Sequence, residues 1–587
     1  MQSSDTNLNN NLNIGSGRLP SRYFIITILL ISGIFGYGVN FLYGFSVYPD
    51  EFGYWSTAAG ILGYDWGPVI GLGSYYSFGY GLLLTPILWI FKGGVAAYRA
   101  AIFLNFLLQC ASVVLLYRIA LWFCPDRHKD NCYIAAGIGA LYPAYTYFSQ
   151  TTLSEAVLTF TYILIVFLLL RYLDDPKWYR LIFLSLALIY LYCVHMRTIG
   201  VFIVGFILIL IYVIQKSSNK LTWVLIILFA VAGVLAVHYL KPLFQSKVFG
   251  YSEYLWVNDY SGQADRISQF FDKETFIDVA INFVAKLTYL GLASYGLIYV
   301  VLISSIRRIG SCIKRAAASE IKDRIRAELF IILTVFAQLA VATVYCGVSG
   351  RIDTLLYGRY SEYVLPVFIC VGVICLLNKQ TVDIKSFIPL LINVVTTVLI
   401  YAYINVKHIE SVNPFRVPAL GYVLNKYRAD GDTALLLLLA VTGIIYIAVL
   451  AITGMSKNRD GIRLLFTVIL LTESLLGMVC NKKYTYIYSR IDQIDSRIVS
   501  WINDNTGDDS EIYYVISDEE TYVNGIQFGL YNRTITVIHE GEEDVPQYGD
   551  VVITYGDNED YPLIRTDTRH IMDTGLFKLY VIDRGTE

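Results

Sequence analysis

Long apolar runs separated by short polar connections dominate the first four-fifths of the chain. They lie at 23–43, 98–121, 131–149, 153–171, 180–197, 199–215, 221–240, 283–305, 328–348, 361–378, 387–405, 433–453 and 464–481. Each is close to the roughly 20 residues that a helix needs to cross the hydrocarbon layer. Together they predict about thirteen crossings. A further run, 78–91, contains Gly79, Gly81 and Pro86 and is too short for a comfortable span. It reads as a re-entrant or interfacial helix. Beyond Lys482 the pattern changes: 511–516, 534–538, 550–555 and 577–582 look like short strands. Residues 490–505 carry Ile and Trp at helical spacing before the turn "NTGDD". The predicted fold is mainly α. A polar N-terminal tail (1–22) precedes a polytopic transmembrane helical bundle (23–481), and a small extracytoplasmic α/β domain (482–587) follows.

Charge in the connections orients this drawing. With the N-terminus cytoplasmic, the inside loops hold Arg127/His128/Lys129, Lys177/Arg180, Lys216/Lys220, Arg307 to Arg326, Lys379/Lys385 and Lys457/Arg459. Counting 78–91 as a full span would move all of these outside, so the positive-inside rule favours an odd number of spans. The first loop (44–97), residues 150–152, the loops 241–278, 349–360 and 405–432, and the tail are then expected outside, with the protein in the cytoplasmic membrane. Arg18 and Arg22 precede the first span and no small-residue cleavage site follows it, which reads as an uncleaved anchor.

Composition agrees. Of 587 residues, 56% are hydrophobic and only 16% charged, whereas soluble domains are about a quarter charged. The net charge of −2 argues against a nucleic-acid partner. Nine cysteines without a CxxC pair suit buried thiols better than a disulfide framework or a zinc site.

Three groups of residues carry candidate chemistry. Asp50 and Glu51 sit side by side just after the first span, among Tyr54, Trp55, Tyr76 and other aromatics. Acids there suit a helix start, but aromatic faces beside carboxylates also suit sugar rings, and a carboxylate could take a proton from an acceptor hydroxyl. Glu155 lies just inside the outer end of a span, where a lone carboxylate is costly and marks a functional candidate or the partner of an arginine. Arg99, His195, Arg197, Lys286 and Arg359, the last followed by Tyr360, place cations at outer ends, against the inside-positive bias. Snorkelling explains single cases; as a set they suit a phosphate. No paired metal-ligand spacing and no nucleotide-binding fingerprint occurs, and a divalent cation (Mg or Mn) stays open.

The Asp50-Glu51 pair, the aromatic loop, "GYGLLLTPILWIFKGG", Arg99, "LSEA", "HMRTIG" and "YGRYSEYVLP" together resemble the GT-C superfamily. These are multi-spanning glycosyltransferases that use polyprenyl-phosphate sugars, here most like bacterial members akin to protein O-mannosyltransferases and the lipid A aminoarabinose transferase. The resemblance covers about the first 370 residues. It implies that Asp50 occupies the position of the catalytic acid, with Glu51 beside it, Glu155 a second acid, and Arg99 the arginine after the re-entrant helix. Two features depart from the pattern: Gly79-Tyr80-Gly81 replaces the His or Pro-Pro of many relatives, and Glu155 stands where Asp is common. The implied partners are a polyprenyl-phosphate-linked sugar, membrane lipid, and a cell-envelope glycan, lipid or protein acceptor. A transporter or flippase of lipid-linked sugars is the competing reading. Clustering of charge at the outer boundary rather than the midplane weighs against it.

Overall fold

A computed structural model describes residues 21–72, 75, 77–124, 128–216, 219–249, 273–314, 319–348, 355–377, 384–407, 417–421, 431–455, 459–507, 509–516, 522–539, 549–556 and 568–583. Apolar patterning becomes helix throughout the first part. The helices are α1 (Arg22–Gly38), α2 (Asp50–Leu62), α3 (Gly67–Gly71), α4 (Gly79–Phe91), α5 (Gly94–Phe123), α6 (Lys129–Ala140) and α7 (Pro143–Phe148). They continue with α8 (Glu155–Asp174), α9 (Trp178–Val194), α10 (Ile199–Lys216), α11 (Lys220–Phe249), α12 (Lys273–Ala293), α13 (Leu297–Lys314) and α14 (Ser319–Val348). The last four of the bundle are α15 (Leu365–Leu377), α16 (Ile388–Lys407), α17 (Gly431–Met455) and α18 (Arg459–Cys480). Among the described residues, eight helices are long and apolar enough to cross a membrane, and five shorter apolar helices accompany them. Large apolar side chains such as Leu29, Phe183, Tyr239 and Leu464 point outward. That is the surface of a protein whose solvent is lipid.

Two of the expected spans are interrupted. The run 131–149 becomes α6 and α7, broken before Pro143, which opens α7 and whose ring and missing N–H disfavour continuing the helix through it. The run 283–305 is divided between α12 and α13 by Tyr295 and Gly296, both at positive φ (52° and 77°). The Asn393 side chain donates to the Gly291 carbonyl at this break. By contrast, the 78–91 run is a single short helix, α4, as expected. Gly79 lets the Cys193–Val194 backbone approach, since a Cβ would lie 2.5 Å from it, and Gly81 does the same for Thr57. Trp89, Ile90 and Phe91 at its far end are exposed.

The C-terminal segment folds as α19 (Tyr486–Asn505), β1 (Ile512–Ile516), α20 (Val523–Gly529), β2 (Ile535–His539), β3 (Val551–Tyr555), β4 (Thr568–Asp573) and β5 (Phe577–Ile582). One sheet of order β2-β1-β3-β5-β4 results. Here β1 runs parallel to β2 and β3, and β5 antiparallel to β3 and β4. Edge strand β4 was not foreseen, because "TRHIMD" is polar and partly exposed. The domain is not a loosely tethered appendage. One π-helical turn, Asn481–Thr485, joins α18 directly to α19. Phe528 packs on Phe45 and Trp55 with ring centroids 5.0 and 4.7 Å apart, and Trp66 donates its indole N–H to the Tyr531 carbonyl (2.9 Å). The domain therefore rests on the 44–72 segment that carries Asp50.

Candidate active site

The polypeptide after α1 turns back and enters α2 at Asp50, with Asp50 and Glu51 both in its first turn. Acids there complement the positive end of the helix dipole. The two side chains then diverge. Glu51 is fully buried and accepts six hydrogen bonds. Its Oε1 takes the Ser46 amide (2.8 Å), the Ser46 hydroxyl (3.0 Å) and the Val47 amide (3.0 Å). Its Oε2 takes the Tyr98 hydroxyl (2.8 Å), the Thr152 amide (2.6 Å) and the Thr152 hydroxyl (2.7 Å). Such a carboxylate has every lone pair engaged by the fold, and it ties α2 to the turn that precedes Glu155.

Asp50 faces the other way. Its Oδ2 accepts from Arg359 Nη1 at 2.5 Å, with 15% of the side chain exposed. The same guanidinium donates through Nε to Glu155 Oε1 at 2.6 Å. Arg197 reaches that oxygen too, through Nη2 at 2.7 Å. Two carboxylates and two guanidiniums from four separate parts of the sequence thus form one network of matched charge. Glu155 opens α8. Arg197 sits in the short 3-10 turn Met196–Thr198 between α9 and α10, where the His195 ring nitrogen Nδ1 accepts the Arg197 amide (3.2 Å). Arg359 comes from the "YGRYSEYVLP" approach to α15. The Tyr360 ring lies under the Arg197 guanidinium, 4.8 Å from its centroid, a cation–π arrangement. Among the described residues, Glu155 Oε2 and Arg197 Nε are buried without a hydrogen-bond partner. Leaving such groups unmatched costs about 1–3 kcal/mol each, so the network is built to meet something further.

The remaining candidates have other settings. Arg99 donates Nε to the Leu42 carbonyl (2.9 Å) and lies over the Tyr43 ring, so its contacts are with the start of the first loop. Lys286 is buried on α12 and donates to Asn282 Oδ1 (3.0 Å). The Tyr54 hydroxyl meets the Ser154 hydroxyl (2.8 Å), one residue before Glu155. Trp55 is fully buried, donating to Thr152 and covered by Phe528, which leaves its ring no face for a sugar. Tyr76 lies outside the described residues. Among those residues, no three His, Cys, Asp or Glu side chains gather as a metal-binding group.

Sequence reasoning missed two further parts. Glu362, three residues after Arg359, is buried and accepts from Tyr142 (3.4 Å), from Tyr289 and from the Ala419 amide (3.3 Å). Its only signal was its place in the same motif. Ser489 and Asp492, on α19, bond the loop before Asp50. Their signal was polar residues at i and i+3 on the face that also carries Ile498 and Ile502.

The arrangement of an apolar helical bundle followed by a small α/β domain has a counterpart among solved structures. The fold is shared with ArnT. ArnT from Cupriavidus metallidurans, in its crystal structure bound to undecaprenyl phosphate, matches with a TM-score of 0.50 at 11% identity, over 96% of this chain and 98% of its own. Its apo state matches at 0.47. The Archaeoglobus fulgidus oligosaccharyltransferase in apo form matches at TM-score 0.43 and 12% identity, over 88% of this chain and 64% of its own. That likeness is too slight to bear on this chain. No family model matches the sequence, and no curated protein does. The likeness to ArnT is one of fold, and it extends over nearly the whole chain, bundle and tail domain alike.

Proposed function

We propose that this chain is an integral-membrane glycosyltransferase that moves a sugar from a polyprenyl-phosphate carrier to an acceptor hydroxyl at the outer face of the cytoplasmic membrane. The observation that carries the reading is Arg359, which holds Asp50 and Glu155 at once. One guanidinium thereby couples a candidate base to a candidate phosphate site. ArnT, of the same fold, was captured with undecaprenyl phosphate, which supports a carrier of this class.

In the proposed reaction the carrier phosphate docks on Arg197, whose buried Nε has no hydrogen-bond partner among the described residues, and shares Arg359 with the acids. Asp50, the more exposed of the two acids, takes the acceptor's hydroxyl proton. The acceptor oxygen forms a bond to the anomeric carbon as the bond from that carbon to the phosphate oxygen breaks. Direct displacement inverts the anomeric centre, and the departing polyprenyl phosphate leaves with its charge held by both guanidiniums. Fixed donors of this kind contribute roughly 3 kcal/mol each where they have been removed one at a time. Glu155 keeps the two arginines at one place, and Glu51 contributes position rather than chemistry. A divalent cation would have to compete with Arg359 and Arg197 for the Asp50 and Glu155 carboxylates.

The test is product formation by the purified protein in detergent, where sidedness and gradients are gone. Transfer from a polyprenyl-phosphate sugar, with inverted anomeric configuration by NMR, is the expected result. Carrier movement across vesicles without any product would instead establish a flippase.

A further inference from the structure

Five consecutive backbone amides before Asp50 are captured by three buried side chains. Tyr43 and Gly44 donate to the Ser489 hydroxyl (2.8 and 3.0 Å), Phe45 to Asp492 Oδ2 (2.6 Å), and Ser46 and Val47 to Glu51 Oε1 (2.8 and 3.0 Å). Ser489 returns its own proton to the Gly44 carbonyl (2.8 Å), and the Tyr48 hydroxyl donates to Asp492 Oδ1. Loop amides ordinarily turn to water, so a run like this fixes the backbone from both sides. Glu51 grips it from the catalytic helix, while Ser489 and Asp492 grip it from α19 of the tail domain, more than 440 positions away in sequence. The fit is close. A Cβ at Gly44 would lie 1.8 Å from Asp492 Oδ2, and one at Gly525 would lie 2.3 Å from Asp492 Oδ1. Phe528 of the same domain closes over Phe45. Two residues past this clamp the chain enters α2 at Asp50, so the loop's position sets where that carboxylate meets Arg359.

We propose that Asp492, assisted by Ser489, is a positioning residue through which the C-terminal domain holds Asp50 in register with Arg359 and Glu155. This rests on the glycosyl-transfer reading for its kinetic consequence and on geometry alone for its structural one. The domain is then a working part of the site. A 1 Å displacement of a reacting group is enough to lower turnover about a hundredfold, whereas the carrier's contacts with Arg197 do not pass through the loop.

The experiment compares the full-length protein with Asp492→Leu, which removes both acceptors, and Asp492→Asn, which keeps an oxygen for the Phe45 amide. Hydrogen exchange of amides 43–47 is read by mass spectrometry, and kcat and the donor KM are measured in parallel. Asp492→Leu is expected to speed that exchange and lower kcat each at least tenfold, with donor KM within twofold of wild type. Asp492→Asn should restore both to within threefold. If Asp492→Leu fails to fold, Ser489→Ala is read by the same measurements. Unchanged exchange overturns the proposal, as does faster exchange with unchanged kcat, or a rise confined to donor KM. A wild type that transfers no sugar would instead remove the glycosyl-transfer reading, and loop exchange alone would then decide whether Asp492 positions Asp50.

Discussion

Asp50 and Glu51 differ by one position and one methylene, yet their surroundings give them separate work. The helical rotation between neighbours turns Asp50 toward Arg359 and Glu51 into a ring of six donors. That ring predicts an unusual intolerance. Glu51→Gln would point an amide donor at groups that all donate, and Glu51→Ala would leave buried amides of Ser46 and Thr152 unmatched. Each stranded buried group costs about 1–3 kcal/mol. Both substitutions are therefore expected to lower stability by at least about 3 kcal/mol, read as a fall in thermal midpoint in detergent; Asp50→Asn should change it little. Equal stability of Glu51→Gln and wild type would show that the six contacts do not hold. The sequence pointed to the acidic pair but not to this division, because adjacency says nothing of which side chain the following turns will enclose. Arg197, Arg359 and Glu155 were legible for a firmer reason: charge at the ends of apolar runs needs a partner, and these three found one another.

Among elements, the apolar runs were readable nearly everywhere, since period and length decide a membrane helix. What escaped notice was local. Tyr295 and Gly296 interrupt a run whose composition gives no warning beyond one glycine, and the polar β4 pairs at a sheet edge where burial does not stamp its alternation. Most of helix α19 was expected as a helix from its Ile and Trp spacing, but that spacing did not single out its acids. In the structure burial pushes the Asp492 carboxyl up to about 8, helped by the nearby Asp495 and Glu51 charges and opposed by the Tyr48 and Phe45 hydrogen bonds. Burial likewise lifts Asp495 to about 7, against the Thr574 hydrogen bond and Arg497. An unfolded Asp releases its proton near 3.9. Between there and about 8 the folded domain therefore holds protons that the unfolded chain gives up, so stability falls as pH rises across that window. Thermal midpoints of the tail domain in the full chain should decline from pH 5 to pH 8. The doubly neutral variant Asp492→Asn/Asp495→Asn should flatten the decline. A midpoint that climbs with pH would contradict this assignment.

For the whole molecule, the bundle presents apolar side chains to lipid around its girth and joins Asp50, Glu155, Arg197 and Arg359 in one network near the segment on which the C-terminal domain rests. The seam is tight enough to test. Gly93 adopts φ 79°, and a Cβ there would lie 2.2 Å from the Phe528 carbonyl oxygen. Gly93→Ala should thus loosen the domain from the bundle, seen as faster release of a C-terminal fragment in limited proteolysis, with the bundle intact. Release at the wild-type rate would mean that the seam gives way freely. This docking was not readable in the sequence: nothing in the aromatic first loop named a partner, and only three-dimensional proximity gathers Phe45, Trp55 and Trp66 around Phe528.

The account turns on one carboxylate. Its most direct test measures sugar transfer and polyprenyl-phosphate binding by purified wild type and Asp50→Asn side by side. Loss of a general base typically costs about 10²–10⁴ in rate. The account predicts a fall of at least about a hundredfold in transfer, with carrier affinity held within a few-fold by Arg197 and Arg359. Transfer by Asp50→Asn at the wild-type rate would contradict it.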